Sequence, residues 1–182
     1  MLNYSRIVIA TKIFAMTAEE ITNYLTELND ELRLVEIKGE ISLYGGAVMC
    51  LAFKSRPATK DVDAIFEPVR AVRNAARRVA ERHNLNIDWI NLAVEMFVVD
   101  HIRQVLFDFS HLKVFVPEGD YLLAMKVLAL RPDTYDVEDL EFLIKELKLG
   151  SSQEIIDIVE DYYPKKTIKL DTLNLLDEYF EK

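Results

Sequence analysis

With 182 residues, 51% of them apolar and 29% charged, the chain can bury the core of one domain and is too apolar for a disordered tail. A formal net charge of −9 argues against a general nucleic-acid coat, because polyanion binding needs a basic footprint, although a local basic face stays open. The single cysteine, Cys50, excludes an internal disulfide and suits a reducing cytoplasm, the expected location.

The apolar opening, SRIVIATKIFAM, is interrupted by Lys12 and lacks a small-residue cleavage site, so neither a secretory signal nor a membrane span is expected. A helix is predicted over Thr17–Leu34. Thr17 and Glu20 have capping-box spacing, and Ile21, Tyr24, Leu25 and Leu28 recur on one face. Lys38-Gly39 ends that pattern. A short apolar strand, Ile41–Tyr44, then runs into the Gly45-Gly46 turn and a short helix, Ala47–Phe53, where Cys50 reads as a packing residue.

The loop Lys54–Lys60 is basic and carries Pro57. It leads into a second strand opening with Asp61-Val62-Asp63. Pro68 marks the start of a helix over Val69–His83, with Val69, Val72, Ala76 and Val79 as its apolar stripe. Arg70, Arg73, Arg77, Arg78 and others fill the rest of the circumference, either as a solvated face or as contacts for an RNA backbone. Leu85–Ile90 alternates and reads as a third strand, with Asp88 on it. Gln104–Phe109 and Leu112–Val116 read as two more.

Beyond Pro117 the composition shifts. Helices are predicted over Tyr121–Leu130, Val137–Leu147, Ser152–Tyr162 and Thr172–Phe180, with breaks at Arg131-Pro132-Asp133 and Lys148–Ser151. The expected organisation is an α/β core with an N-terminal helix over residues 1–117, followed by a helical cap over residues 118–182.

The chemistry concentrates between Ile41 and Phe66. Alternation along a strand puts Asp61 and Asp63 on one side, and a divalent cation relieves the repulsion of two close carboxylates. Gly45-Gly46 permits close backbone approach to a ligand and opens a helix, an arrangement that favours anions. Metal beside phosphate is what phosphoryl or nucleotidyl transfer requires. Further on, Lys126 stands in the apolar run YLLAMKVLAL, where its ammonium must reach a carboxylate or an anionic ligand, or snorkel to the surface. Asp136 and Asp139 open the next helix, as caps or as partners of Lys126 or Arg131. The three histidines lack metal-ligand spacing, and Gly45-Gly46 is not followed by a Gly-Lys-Ser/Thr phosphate loop.

The run Gly-Gly, short helix, then Arg56-x-x-Thr59-Lys60-Asp61-x-Asp63 resembles the signature of the nucleotidyltransferase superfamily that shares the DNA polymerase β-like fold. Within it the chain looks most like small bacterial proteins of the AbiEii and MenT kind, many of them toxins of toxin–antitoxin pairs. Tyr121–Leu143 resembles the second signature of that group: a helix carrying Lys126, an arginine, and an Asp136-x-x-Asp139 helix start. The likeness spans Glu40 to about Lys148.

The resemblance implies a mixed-sheet core of the polymerase-β kind and a Mg²⁺- or Mn²⁺-dependent transfer of a nucleoside monophosphate from an NTP to an acceptor hydroxyl. It places metal on Asp61 and Asp63. It places nucleotide on Gly45, Gly46, Arg56, Thr59, Lys60, Lys126 and Asp139. Asp88 takes the third acidic position, orienting the acceptor hydroxyl or else capping the turn near Asn91; Trp89-Ile90-Asn91 also resembles a Trp-Leu-Asn of relatives. The family implies a tRNA acceptor and a cognate antitoxin as partners; no DNA partner is expected, and the hydropathy reading gives no membrane. Two other readings stay open: a non-catalytic nucleotide- or partner-binding protein on the same fold, and transfer to a small molecule of the aminoglycoside kind.

Overall fold

The computed structural model describes residues 15–131 and 134–181. Most of the apolar opening, and Pro132-Asp133 of the predicted break, lie outside these. A five-stranded mixed sheet organises the rest. In chain order the elements begin with β1 (Met16–Thr17), α1 (Ala18–Leu34), β2 (Gly39–Leu43), α2 (Gly45–Leu51), β3 (Ala58–Thr59), β4 (Val62–Glu67) and α3 (Val69–His83). They continue with β5 (Ile90–Asn91), β6 (Arg103–Asp108), β7 (Leu112–Pro117), α4 (Gly119–Ala129), α5 (Asp136–Glu146), α6 (Ser152–Tyr162) and α7 (Leu170–Phe180). A 3₁₀ turn, Glu95–Phe97, lies between β5 and β6.

The sheet order is β5-β4-β2-β7-β6. β2 pairs antiparallel with β4 and parallel with β7; β4 is parallel to β5, and β6 antiparallel to β7. The capping box forms as the spacing predicts: Thr17 accepts from the Glu20 amide, and the Glu20 carboxylate accepts from the Thr17 amide. Such caps are worth about 1 kcal/mol. α1 packs against α3, which buries Val72, Ala75, Ala76, Val79 and Ala80. Val69, assigned from the sequence to that stripe, is 40% exposed at the first turn.

One difference matters for function. The alternating Leu85–Ile90 run is not a strand along its length: the chain turns after His83, and only Ile90–Asn91 pair with β4. Trp89 is buried, its Nε1 donating to the Ala76 carbonyl at 3.1 Å, so a core contact outside the sheet drives that hydrophobe inward. The sequence also gives no sign of the two-stranded pairing of β1 with β3, Met16 opposite Thr59, which ties the loop before Asp61 to the start of α1.

α4 follows β7 directly and is buried on most sides: Tyr121, Leu122, Leu123, Ala124 and Val127 are all fully inaccessible. It packs against α5 and α6. Fully burying an aliphatic or aromatic side chain contributes about 1.5–3 kcal/mol. One continuous apolar cluster thus joins the sheet to the C-terminal helices. No helix among the described residues is long and apolar enough to cross a membrane.

Candidate active site

Strand register brings the two halves of the first motif together. Leu43 lies opposite Ala64, so the chain leaving β2 through Tyr44 passes beside the chain entering β4. The Tyr44 amide donates to the Asp63 carbonyl at 2.9 Å. Gly45 has φ +58°, and a Cβ there would sit 2.9 Å from Asp63 Oδ2, so the carboxylate lies against the glycine. Only a residue without a side chain combines that backbone angle with that approach. At Gly46 a Cβ would meet Thr59 Oγ1 at 2.5 Å and Arg56 Nη1 at 2.6 Å. The space beside Gly46 is therefore occupied by the motif's own arginine and threonine, and the glycine pair lets these side chains converge.

Asp61 is exposed and Asp63 half-buried, just before and within β4. Among the described residues neither has a cation within ion-pair distance. Burial pushes the Asp63 carboxyl above its ordinary range, and the Asp61 charge adds to this. Asn91, Lys126 and Arg131 pull the other way without cancelling it.

The second motif sits across a cleft of about 650 Å³ lined by Gly45, Gly46, Arg56, Thr59, Asp61, Asp63, Lys126, Arg131 and Asp136. Lys126 and Asp139 are only 7% and 4% exposed, with Nζ 2.6 Å from Asp139 Oδ2 and 3.5 Å from Asp136 Oδ1. Arg56 grips the same Asp139 with two nitrogens, Nε at 3.2 Å and Nη2 closer, and its guanidinium lies over the Tyr135 ring. Arg131 Nε donates to Asp136 Oδ2 at 3.0 Å. Although burial pushes the Asp136 carboxyl upward, Thr134, Lys126 and Arg131 together hold it below its ordinary range. Every charge in this network is paired. Removing Asp139, which the buried Lys126 and Arg56 share, costs about 3–5 kcal/mol.

Most of the expected residues converge: Gly45, Gly46, Arg56, Thr59, Asp61, Asp63 and Lys126 all line the cleft. Asp139 does not; it lies behind Lys126 and Arg56 and fixes both. Lys60 is exposed and outside the cleft. Asp88 is exposed in the turn before β5, its amide donating to Asn86 Oδ1, and it too is outside the cleft. Asn91 stands opposite Asp63 on the neighbouring strand instead.

On the arginine helix, Arg78 and Arg82 both bind Glu31 of α1, and Arg82 and His83 bind Glu27. Arg73 and Arg77 remain exposed.

Two parts of the cleft carry no sequence signal. One is an apolar wall from the loop after β5, including Val94, Met96, Phe97 and Val99. The other is Tyr163, Lys166 and Thr167 on the turn between α6 and α7. A second groove, of about 700 Å³, lies at the far end of the sheet beside Lys38, Glu67 and His111; no residue of either motif lines it.

Among the described residues no three His, Cys, Asp or Glu side chains gather as a metal-binding group. The Asp61 and Asp63 carboxylates, without a cation partner among the described residues, do suit Mg²⁺, which completes its shell with water and substrate phosphate rather than a protein cage. Comparison with known protein families, curated proteins and solved structures finds no match to this chain.

Proposed function

We propose that the cleft is a divalent-metal-dependent nucleotidyltransferase site on a core of the DNA polymerase β-like kind. The observation that carries the reading is the Asp61–Asp63 pair. It has no cation partner among the described residues, it is set against a glycine turn, and it faces the buried Lys126 across a cleft large enough for a nucleotide. Two carboxylates held in this state form a ready binding site for a dication.

Asp61 and Asp63 would hold Mg²⁺ or Mn²⁺, which when bound neutralises and polarises triphosphate oxygens. Lys126 reaches the cleft from α4 with its ammonium fixed between Asp136 and Asp139, so little side-chain freedom is lost when it meets a phosphate. Asp139 holds Arg56 in the same way beside Gly46. Val94, Met96, Phe97 and Val99 offer an apolar surface for the base. In the transfer, an acceptor hydroxyl oxygen bonds to the α-phosphorus and gives its proton to solvent, as the bond to the leaving pyrophosphate oxygen breaks. The resemblance in the motifs favours a tRNA end as acceptor and an antitoxin as regulator.

Asn91 favours a second reading, a non-catalytic nucleotide-binding protein. The strand position beside Asp63 carries an amide, which cannot take a proton from the acceptor. One experiment separates the two. The protein is incubated with Mg²⁺, each labelled NTP in turn, and total tRNA or an aminoglycoside. Label moving to an acceptor, and lost in Asp61→Asn/Asp63→Asn, supports transfer; bound label with no transferred product selects the second reading.

A further inference from the structure

We propose that Lys166, on the turn between α6 and α7, is a phosphate-binding residue of the cleft, supplied by the C-terminal helices. This rests on the nucleotide reading above. Among the described residues four cations line the cleft: Arg56, Lys126, Arg131 and Lys166. Each of the first three is already paired with Asp139 or Asp136. Lys166 differs, with no carboxylate within ion-pair distance among the described residues.

A nucleoside triphosphate carries more negative charge than the dication on Asp61 and Asp63 offsets, since those carboxylates contribute negative charge of their own. The excess is met best by a cation that no protein group already shares, and a charge-assisted hydrogen bond is the strong kind.

The turn that presents Lys166 is held in place. Tyr163 is buried; its hydroxyl donates to the Phe97 carbonyl at 2.9 Å, across the cleft's apolar wall, and lies 3.0 Å from the Tyr121 hydroxyl. The Lys166 amide donates to the Tyr163 carbonyl at 2.9 Å, and Ile168, two residues on, is buried in the core. Thr167 lines the cleft next to Lys166 and adds a hydroxyl. Lys165 and Lys166 are both exposed, and of the two only Lys166 lines the cleft.

Calorimetry with Mg²⁺ and each of the four nucleoside triphosphates, then with the di- and monophosphate of the tightest binder, tests this on wild type, Lys166→Ala, Lys166→Arg and Lys165→Ala. The expected result is triphosphate affinity about tenfold weaker in Lys166→Ala, with a smaller preference for triphosphate over monophosphate. Lys166→Arg should retain most of the affinity, Lys165→Ala all of it, and the melting temperature should not move. Unchanged affinity in Lys166→Ala, or equal weakening of tri- and monophosphate, overturns the role of Lys166 while leaving the nucleotide reading intact. A wild-type protein that binds none of the four overturns both.

Discussion

Two aspartate pairs border the same cleft in opposite electrostatic states. Asp136 and Asp139, at the start of α5, are saturated by Arg56, Lys126 and Arg131. Asp61 and Asp63, beside the glycine turn, face each other's charge with no ion-pair partner among the described residues. Their carboxyl groups respond accordingly: Asp136 is held below its ordinary range, while burial and Asp61 push Asp63 above its own. A pair satisfied within the protein supports structure. A pair left in repulsion is maintained at a cost in stability, which a ligand can relieve.

Exchanging charges tests that contrast most severely. Asp61→Asn with Asp63→Asn should abolish label transfer, by about a thousandfold or more, because metal-ion stabilisation supplies several kcal/mol. The same double variant should unfold at equal or higher urea concentration than wild type, since repulsion is removed. Retained transfer would show that these carboxylates are not the metal site.

Asp139→Asn should do the reverse to stability. Leaving Lys126 and Arg56 buried without their shared partner should lower unfolding free energy by about 3–5 kcal/mol, read from urea denaturation. A fall well under about 1 kcal/mol would mean that the two cations relax into water, as exposed pairs do, and that the pairing is not structural.

pH separates the pairs next. Asp63 has a folded-state pKa above its unfolded value, so its contribution to stability is present in acid and lost as pH rises through the raised folded value. Asp136 is depressed, so its contribution is present above the ordinary carboxylate value and lost as pH falls through the folded one. Because metal binds the deprotonated form, the rise in melting temperature produced by Mg²⁺ should grow as pH climbs through the Asp63 range. Asp63→Asn should flatten that dependence, and Asp136→Asn should not.

The smallest effect concerns the acceptor. Arg73→Glu with Arg77→Glu changes one exposed face of α3, four residues apart, and leaves the Glu31 and Glu27 pairs intact. If that face meets RNA, filter-binding to tRNA should weaken, and the slope of affinity against salt should fall by about 0.7–0.9 for each phosphate that the helix no longer neutralises. Unaltered binding and slope would leave α3 as a solvated face.

How much of this could be read in advance divides along a physical line. The α1 cap, the stripe on α3, the glycine turn, the sites of the C-terminal helices and the two aspartate pairs are legible because capping, periodicity and turn chemistry act over a few residues. The local rule failed at Leu85–Ile90, where alternation suggests a strand: pairing needs a partner, and β4 reaches only Ile90 and Asn91. Asp88 went with it, and Asn91 took the place beside Asp63. Other facts depend on distant segments packing together. Arg56 meets Asp139 across 83 positions, so the loop of the first motif is held by the helix of the second. Lys166 reaches the cleft because Tyr163 is fastened to Phe97 across 66 positions. Which residues carry charge and hydrogen-bonding capacity is written in the chain; whether a charge finds a protein partner or is left for a ligand is decided by register and packing, since ion pairs and hydrogen bonds act only at close range.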